Sequence, residues 1–275
     1  GSYDRTYYRP CLGYTRKRLV TLSTPSENNP LFGYKEEIVI RVSDLVLQVG
    51  DFRLDKVSFE VPTGHYCVLM GKTGCGKTTL LEAITGLIPV TSGTIHLGPV
   101  DVTQLRPQQR NIGYVPQDGA LFSTMTVSEH LAFALRIRKT ASAEIEARVD
   151  ELARMLEISP LLERNIHGLS GGERQRVAVG RALSFKPMTL LLDEPLTALD
   201  DETHAQMCDL LETVQQQTGV TVLHVSHRSH EARRLAQSVL RIDDGSFTVT
   251  PGERAVPSVD NEAQVTLPTE VSEPL

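Results

Sequence analysis

The chain has 275 residues, room for one large domain or two small ones with a substantial core. Lys and Arg total 28 against 34 Asp and Glu, and the net charge of −6 provides no electrostatic footprint for nucleic-acid binding. No apolar run approaches the ~18 residues of a membrane span, no signal-peptide pattern opens the chain, and Cys11, Cys67, Cys75 and Cys208 lack disulfide-framework spacing. A soluble protein of a reducing cytosol is expected, reaching any membrane through a partner.

Residues 1–36 mix Tyr, Arg, Pro, Ser and Asn without periodicity. Arg5, Arg9, Arg16, Lys17 and Arg18 outnumber Asp4 and Glu27, so this mildly basic arm reads as a flexible extension, with contact to a lipid surface or partner as the alternative. Ordered structure is expected from about residue 37. The apolar runs Ile38–Val42 and Leu45–Val49 read as strands, Gly50-Asp51 as a turn, and the alternating Lys56–Val61 as a further strand. Tyr66–Met70 is a buried strand, and Thr79–Ile84 a helix. A short strand over Thr94–Leu97 and a buried one over Asn111–Val115 follow, the latter ending at Pro116-Gln117-Asp118.

From about 119 to 184 the periodicity is helical. Thr126-Val-Ser-Glu129 has capping-box spacing, and Ile145, Val149, Leu152 and Leu156 recur on one helix face. The apolar strand Thr189–Leu192 runs into Asp193-Glu194-Pro195. A helix carrying Met207, Leu210, Leu211 and Val214 precedes the strand Val220–Val225, which ends at Ser226-His227. Val239–Ile242 and Ser246–Val249 form a hairpin across Asp244-Gly245. From 251 to 275, Pro, Glu, Ser and Thr dominate and acids outnumber bases, the composition of a disordered tail. The fold class is α/β: around Gly71-Lys-Thr-Gly-Cys-Gly-Lys-Thr78, set between strand and helix, it reads as a P-loop NTPase core with an antiparallel β subdomain and an inserted helical block.

The chemistry is concentrated in the loops. Gly71-Lys72-Thr73-Gly74-Cys75-Gly76-Lys77-Thr78, followed by Thr79, has the form G-x-x-x-x-G-K-[ST] between a strand and a helix. Its glycines let backbone N–H groups point at phosphate oxygens, and the helix N-terminus adds partial positive charge. Lys77 then reaches the β- and γ-phosphates of ATP, and the Thr78 hydroxyl sits on Mg²⁺. Asp193, at the C-terminal end of a buried strand, is placed to hold that ion directly or through water. Glu194, on the other side of the pleat, can polarise a water. In Leu169-Ser170-Gly171-Gly172-Glu173, Ser170 and Glu173 have N-cap and N3 spacing, and two glycines leave first-turn N–H groups uncovered, a second anion site. His224, His227 and His230 do not read as a metal site, because His224 lies within a strand and His230 within the next helix.

These motifs, with Gln117, Leu199-Asp200 and His227, stand in the order found in the ATP-binding cassette (ABC) ATPases, and the resemblance covers about residues 37 to 249. It implies two copies sandwiching two ATPs head to tail, each ATP between one copy's P-loop and the other's Ser170-Gly171-Gly172. It further implies that Gln117 lies near Mg²⁺ at the joint with the helical block, that Glu194 is the general base, that His227 contacts the γ-phosphate, and that Asp200 crosses the dimer interface. The family stacks the adenine on an aromatic residue; the position that fits here is Val49, with Phe52 three residues on as a substitute. The stretch Gln117–Phe133, Leu196–Asp200 and Leu223–His227 resembles the import ATPases for molybdate, sulfate, iron and polyamines. That implies an energy-coupling subunit at the cytoplasmic face of the inner membrane, with separate permease subunits, a substrate-binding protein indirectly, and no nucleic acid. The regulatory C-terminal β-domain common in that group is expected to be absent. A soluble ABC ATPase remodelling a cytosolic complex is the alternative.

Overall fold

The structure is a computed structural model. It describes residues 38–243 and 246–255, so the N-terminal arm, Cys11, the Asp244-Gly245 turn and residues 256–275 lie outside the described residues.

Along the chain the elements are β1 (Ile38–Val49), β2 (Phe52–Pro62), β3 (Tyr66–Gly71), α1 (Lys77–Thr85), β4 (Ser92–Leu97), β5 (Val100–Asp101), β6 (Ile112–Val115), α2 (Val127–Ile137), α3 (Ser142–Met155), α4 (Gly171–Leu183), β7 (Thr189–Asp193), α5 (Asp201–Thr218), β8 (Thr221–Val225), α6 (Ser229–Leu235), β9 (Ser238–Asp243) and β10 (Ser246–Pro251). The two apolar runs expected at 38–49 are one strand, β1, which keeps pairing with β2 through register shifts on either side of Leu45. Such irregularities let one long strand bend without ending. The chain also stays regular past residue 250. Pro251 still pairs with Ser238, and Glu253–Ala255 form a 3₁₀ turn, so the expected start of the tail at 251 falls inside structure.

Two sheets form. One is antiparallel, in the order β2-β1-β4-β5; the other has the order β10-β9-β3-β8-β7-β6. In the second, β9, β3, β8, β7 and β6 are mutually parallel, and only β10 is antiparallel. β3, β7 and β8 are apolar over nearly their whole length because a central parallel strand is covered on both faces. One core joins Leu69, Leu191 and Leu223 of this sheet to Leu80 and Ile84 of α1 and to β1 and β2. The other joins Val68, Leu190 and Val222 to α2, α3, α4 and α5. Within it, helix α4 lies so close to its neighbours that a Cβ on Gly180 would sit 2.5 Å from Leu131 and 2.6 Å from Leu156.

The topology places the functional loops. Those after β3, β6, β7 and β8 leave the same end of four parallel strands, the carboxyl end, where open α/β sheets bind ligands.

Candidate nucleotide-binding site

After β3 the chain turns through Gly71–Gly76 into α1. Gly74 and Gly76 have φ of 81° and 96°, a region L side chains avoid. Gly76 also packs under an aromatic ring, since a Cβ there would lie 2.4 Å from the Phe52 ring. No side chain caps α1, so its first N–H groups remain directed at the loop. Lys77 is 5% exposed, and its ammonium donates to the carbonyls of Gly71 (3.0 Å) and Lys72 (2.9 Å). The cation is thus fixed over the loop, stabilised by backbone dipoles.

Asp193 ends β7, and its Oδ1 accepts from the Thr78 hydroxyl at 3.2 Å. Burial raises the Asp193 carboxyl above its ordinary range, the nearby Glu194 and Glu82 add to this, and Thr78 and Lys77 oppose it. A buried carboxylate whose charge is under-compensated, bonded to the hydroxyl of the exposed Thr78, is a donor set suited to a hard divalent cation.

Glu194 is not aimed by the alternation of the strand. It lies one residue beyond β7 with φ 46°, a left-handed conformation, and its N–H bonds to the Val225 carbonyl of β8 at 3.0 Å. That turn directs the carboxylate to His227, whose Nδ1 is 3.3 Å from Glu194 Oε2. The Thr197 hydroxyl donates to the same oxygen at 3.2 Å. No motif in the sequence marks Thr197 as a site residue; its signal is the three-residue step from an acid that leaves a strand, a local turn geometry.

A cavity of about 330 Å³ is lined by Phe52, Thr73, Gly74, Gly76, Lys77, Thr78, Thr79, Gln117, Glu194 and His227. Four loops therefore converge on one space. Val49 is not among its walls. It stands opposite Phe52 across the β1–β2 hairpin and is 46% exposed, so of the two adenine-stacking candidates only Phe52 faces the cavity. Gly71, Lys72 and Cys75 shape the loop from behind. Cys75 Sγ would lie 2.7 Å from a Cβ on Gly71.

Ser170 caps α4. Its Oγ accepts from Glu173 N at 3.2 Å, and Glu173 Oε2 accepts from Ser170 N at 2.6 Å. The two glycines differ. Gly172 is buried, and a Cβ there would lie 2.5 Å from the Thr203 methyl of α5, so it is a packing glycine. Gly171 is exposed and lines a second cavity of about 400 Å³, which shares Gln117 and Glu194 with the first. Only one of the two glycines thus answers to an open helix end. Asp200 lines neither cavity; its carboxylate caps α5 by accepting from Thr203 N at 3.0 Å. His224 is buried in β8 whereas His227 and His230 are exposed, and no group of three or more His, Cys, Asp or Glu placed to hold a metal ion occurs among the described residues.

The arrangement can bind a polyphosphate on Lys77 and the α1 N-terminus, hold a cation at Thr78 and Asp193, and present a carboxylate and an imidazole to whatever lies above them. Comparison with known proteins identifies the family. A family model described as ABC transporter matches residues 54–197, more than half of the chain. The molybdate/tungstate import ATP-binding protein WtpC of Thermococcus kodakarensis is 42% identical over 202 residues, 74% of this chain and 61% of that one. The sn-glycerol-3-phosphate import ATP-binding protein UgpC of Paracoccus denitrificans is 43% identical over 196 residues, 71% of this chain and 56% of that one. The chain thus spans about three-fifths of the length of these relatives. A solved ATP-binding cassette, a dimer in a post-hydrolysis state bound to ADP and Pi, superposes with a TM-score of 0.68 at 26% identity, covering 77% of this chain and 98% of that one. An ATP-binding cassette of an ABC transporter in its ADP conformation gives a TM-score of 0.70 at 24% identity, over 79% of this chain and 92% of that one. The chain belongs to the ABC transporter family.

Proposed function

We propose that this chain is the ATP-hydrolysing subunit of an importer, working as a head-to-tail pair of copies at the cytoplasmic face of the inner membrane and driving separate permease subunits fed by a substrate-binding protein. The carrying observation is the convergence of Lys77, Thr78, Gln117, Glu194 and His227 on one cavity at the carboxyl end of the parallel strands. The names of the relatives favour an oxyanion or phosphate-ester cargo, and molybdate is our first choice.

In this reading Lys77 and the loop N–H groups bind the phosphates, and Phe52 stacks on the base. Thr78 and Asp193 hold Mg²⁺ with Gln117 at its edge; the ion, when bound, offsets the charge of the phosphate oxygens. Glu194, steadied by Thr197, takes the proton of the attacking water, and His227 stabilises the γ-phosphate side. Ser170 and Gly171 serve the ATP of the second copy, and Asp200 reaches across the interface. No helix among the described residues is long and apolar enough to cross a membrane, consistent with permease subunits on other chains.

The test is Glu194→Gln in Mg-ATP, read by light scattering after gel filtration and by phosphate release. A stable particle of twice the chain mass with hydrolysis lowered at least about a hundredfold is expected. A variant that stays monomeric and turns over at the wild-type rate removes Glu194 from its role. Capture of the same variant from solubilised membranes then separates a permease partner, as proposed, from cytosolic factors, which would favour a soluble remodelling machine.

A further inference from the structure

A buried polar cluster joins four elements, and none of the roles above uses it. Glu231, in α6, is 3% exposed. Its Oε1 lies 2.7 Å from His204 Nε2 in the first turn of α5. Its Oε2 lies 3.3 Å from His224 Nε2 on β8, a contact off the line of a good hydrogen bond. His224 Nδ1 is 2.9 Å from the hydroxyl of Tyr66 on β3, and His204 Nδ1 is 3.8 Å from Cys208 Sγ. Tyr66, His204, His224 and Cys208 are all buried. Burial alone drives the Glu231 carboxyl upward, but His224, Ser226 and His204 together outweigh it and hold the group at about 2. An ionised carboxylate at this depth survives only while its partners stay in place.

The position of the cluster gives it its meaning. His204 follows Asp200 by one helical turn, with His204 N bonded to the Asp200 carbonyl at 2.8 Å. Glu231 stands four residues after His227, at the start of the helix behind it. Ser226, between His224 and His227, is bonded through its N–H to the Leu69 carbonyl of β3, the strand that leads into the P-loop. One carboxylate, with an oxygen on each of two elements, therefore ties together the supports of two separate site loops. Neither support can shift alone without stranding a buried charge.

We propose that Glu231 is a positioning residue that locks the helix behind Asp200 and the helix behind His227 into one unit registered on β3. The lock keeps His227 against Glu194 while fixing the start of α5. Its kinetic consequence rests on the ATPase reading; its mechanical consequence does not.

The test compares the full chain with Glu231→Gln, which neutralises the acid at constant shape, and His204→Asn, whose side chain is too short to reach Oε1. Ala232 and Leu235 are buried in the core and keep α6 seated in either variant. Amide hydrogen exchange is read without nucleotide. Each variant is expected to speed exchange on the opposite element as well as its own, by about tenfold, at 200–207 for Glu231→Gln and at 226–232 for His204→Asn, with α1 unchanged. In steady-state ATP hydrolysis kcat is expected to fall about tenfold in both, with KM for ATP within about twofold. If each variant loosens only its own segment, the lock does not exist. If both loosen and kcat is unchanged, Glu231 is structural and not positioning. If the wild type hydrolyses no ATP, the ATPase reading fails, and the reciprocal exchange pattern still decides the lock. Should one variant not fold, the cross-element effect of the other decides it.

Discussion

Helix α1 begins at Gly76, with no side-chain cap and no acid in its first turn, and its first residue is the buried Lys77. Helix α4 begins at Ser170, with a complete capping box and Glu173 in its first turn. Both are glycine-rich helix N-termini, and sequence spacing alone presents both as anion sites. At α1 the first-turn N–H groups have no side-chain cap, the Lys77 ammonium is held only by neutral carbonyls and no acid stands in the first turn, so the loop gains most from an anion supplied from outside. At α4 one N–H is already taken by Ser170, and the Glu173 carboxylate lies below its ordinary range because the Ser170 backbone N–H bonds to it. That helix end is stable as it stands and leaves Gly171 as its open face. The first cradle is built to capture a ligand, the second to meet one already held elsewhere.

Removing the charge from the first cradle is the harshest way to break the contrast. Lys77→Ala deletes the only ammonium among the described residues that line the first cavity and removes its bonds to the Gly71 and Lys72 carbonyls. ATP hydrolysis is expected to fall at least about a hundredfold. Binding of a fluorescent ATP analogue should weaken with it, while the melting temperature without nucleotide changes little. Retained binding would mean that the loop N–H groups alone make the cradle.

Asp193 supplies the next test, through pH. Its folded carboxyl titrates above the unfolded value of 3.8. The folded state therefore holds the proton more tightly, and the group costs nothing below the unfolded value. Stability is lost as pH rises through the raised folded value, and the cost is full above it. Asp193→Asn removes that cost, so the nucleotide-free variant is expected to melt higher than wild type at pH 7 and equally at pH 3. Mg²⁺ with ATP should raise the wild-type melting temperature more than that of the variant. A variant that melts lower at pH 7 would show that the Thr78 bond outweighs the desolvation of the acid.

The two cradles also show where sequence reading stops. Strand, loop and helix around Lys77 are legible because each depends on residues within a turn of one another, as do the capping boxes at Thr126 and Ser170. The reason for Gly172 is not legible, because its contact is Thr203 in α5, the next helix, beyond strand β7. Nor is the aim of Glu194, which depends on a left-handed backbone and a bond to β8. Val49 and Phe52 differ by three residues in sequence, yet sit across from each other on a hairpin, so counting positions cannot choose between them. Glu231 finds partners 27 and 7 residues away, and only the fold brings His204 and His224 to one carboxylate.

The glycines sharpen the comparison by steric means. Gly172→Ala places a methyl 2.5 Å from the Thr203 Cγ2 and is expected to cost about 1–3 kcal/mol in denaturant unfolding. Thr203→Ser, which removes that methyl, should return most of the loss in the double variant. Gly171→Ala meets only Leu199 at 3.4 Å, and its stability should be unchanged or slightly higher, since alanine favours helix by about 0.5–1 kcal/mol. If Gly171→Ala nevertheless weakens ATP-driven pairing of the Glu194→Gln protein, the open face of α4 is where the second copy meets the nucleotide.

Ser170→Ala separates the two cradles most cleanly. It removes the bond from Glu173 N to Ser170 Oγ but leaves Glu173 Oε2 on the Ser170 backbone N–H, so half of the capping box remains. The expected loss is about 1 kcal/mol, or about 2–4 °C by calorimetry for a domain of this size. Nothing comparable can be removed at α1, which has no cap. A loss near 1 kcal/mol with ATP affinity of the isolated chain unchanged means that Ser170 serves its own helix before it serves any nucleotide. A change in that affinity would mean that both helix ends act on one bound nucleotide within a single copy, and the division between a capturing and a receiving cradle would fall.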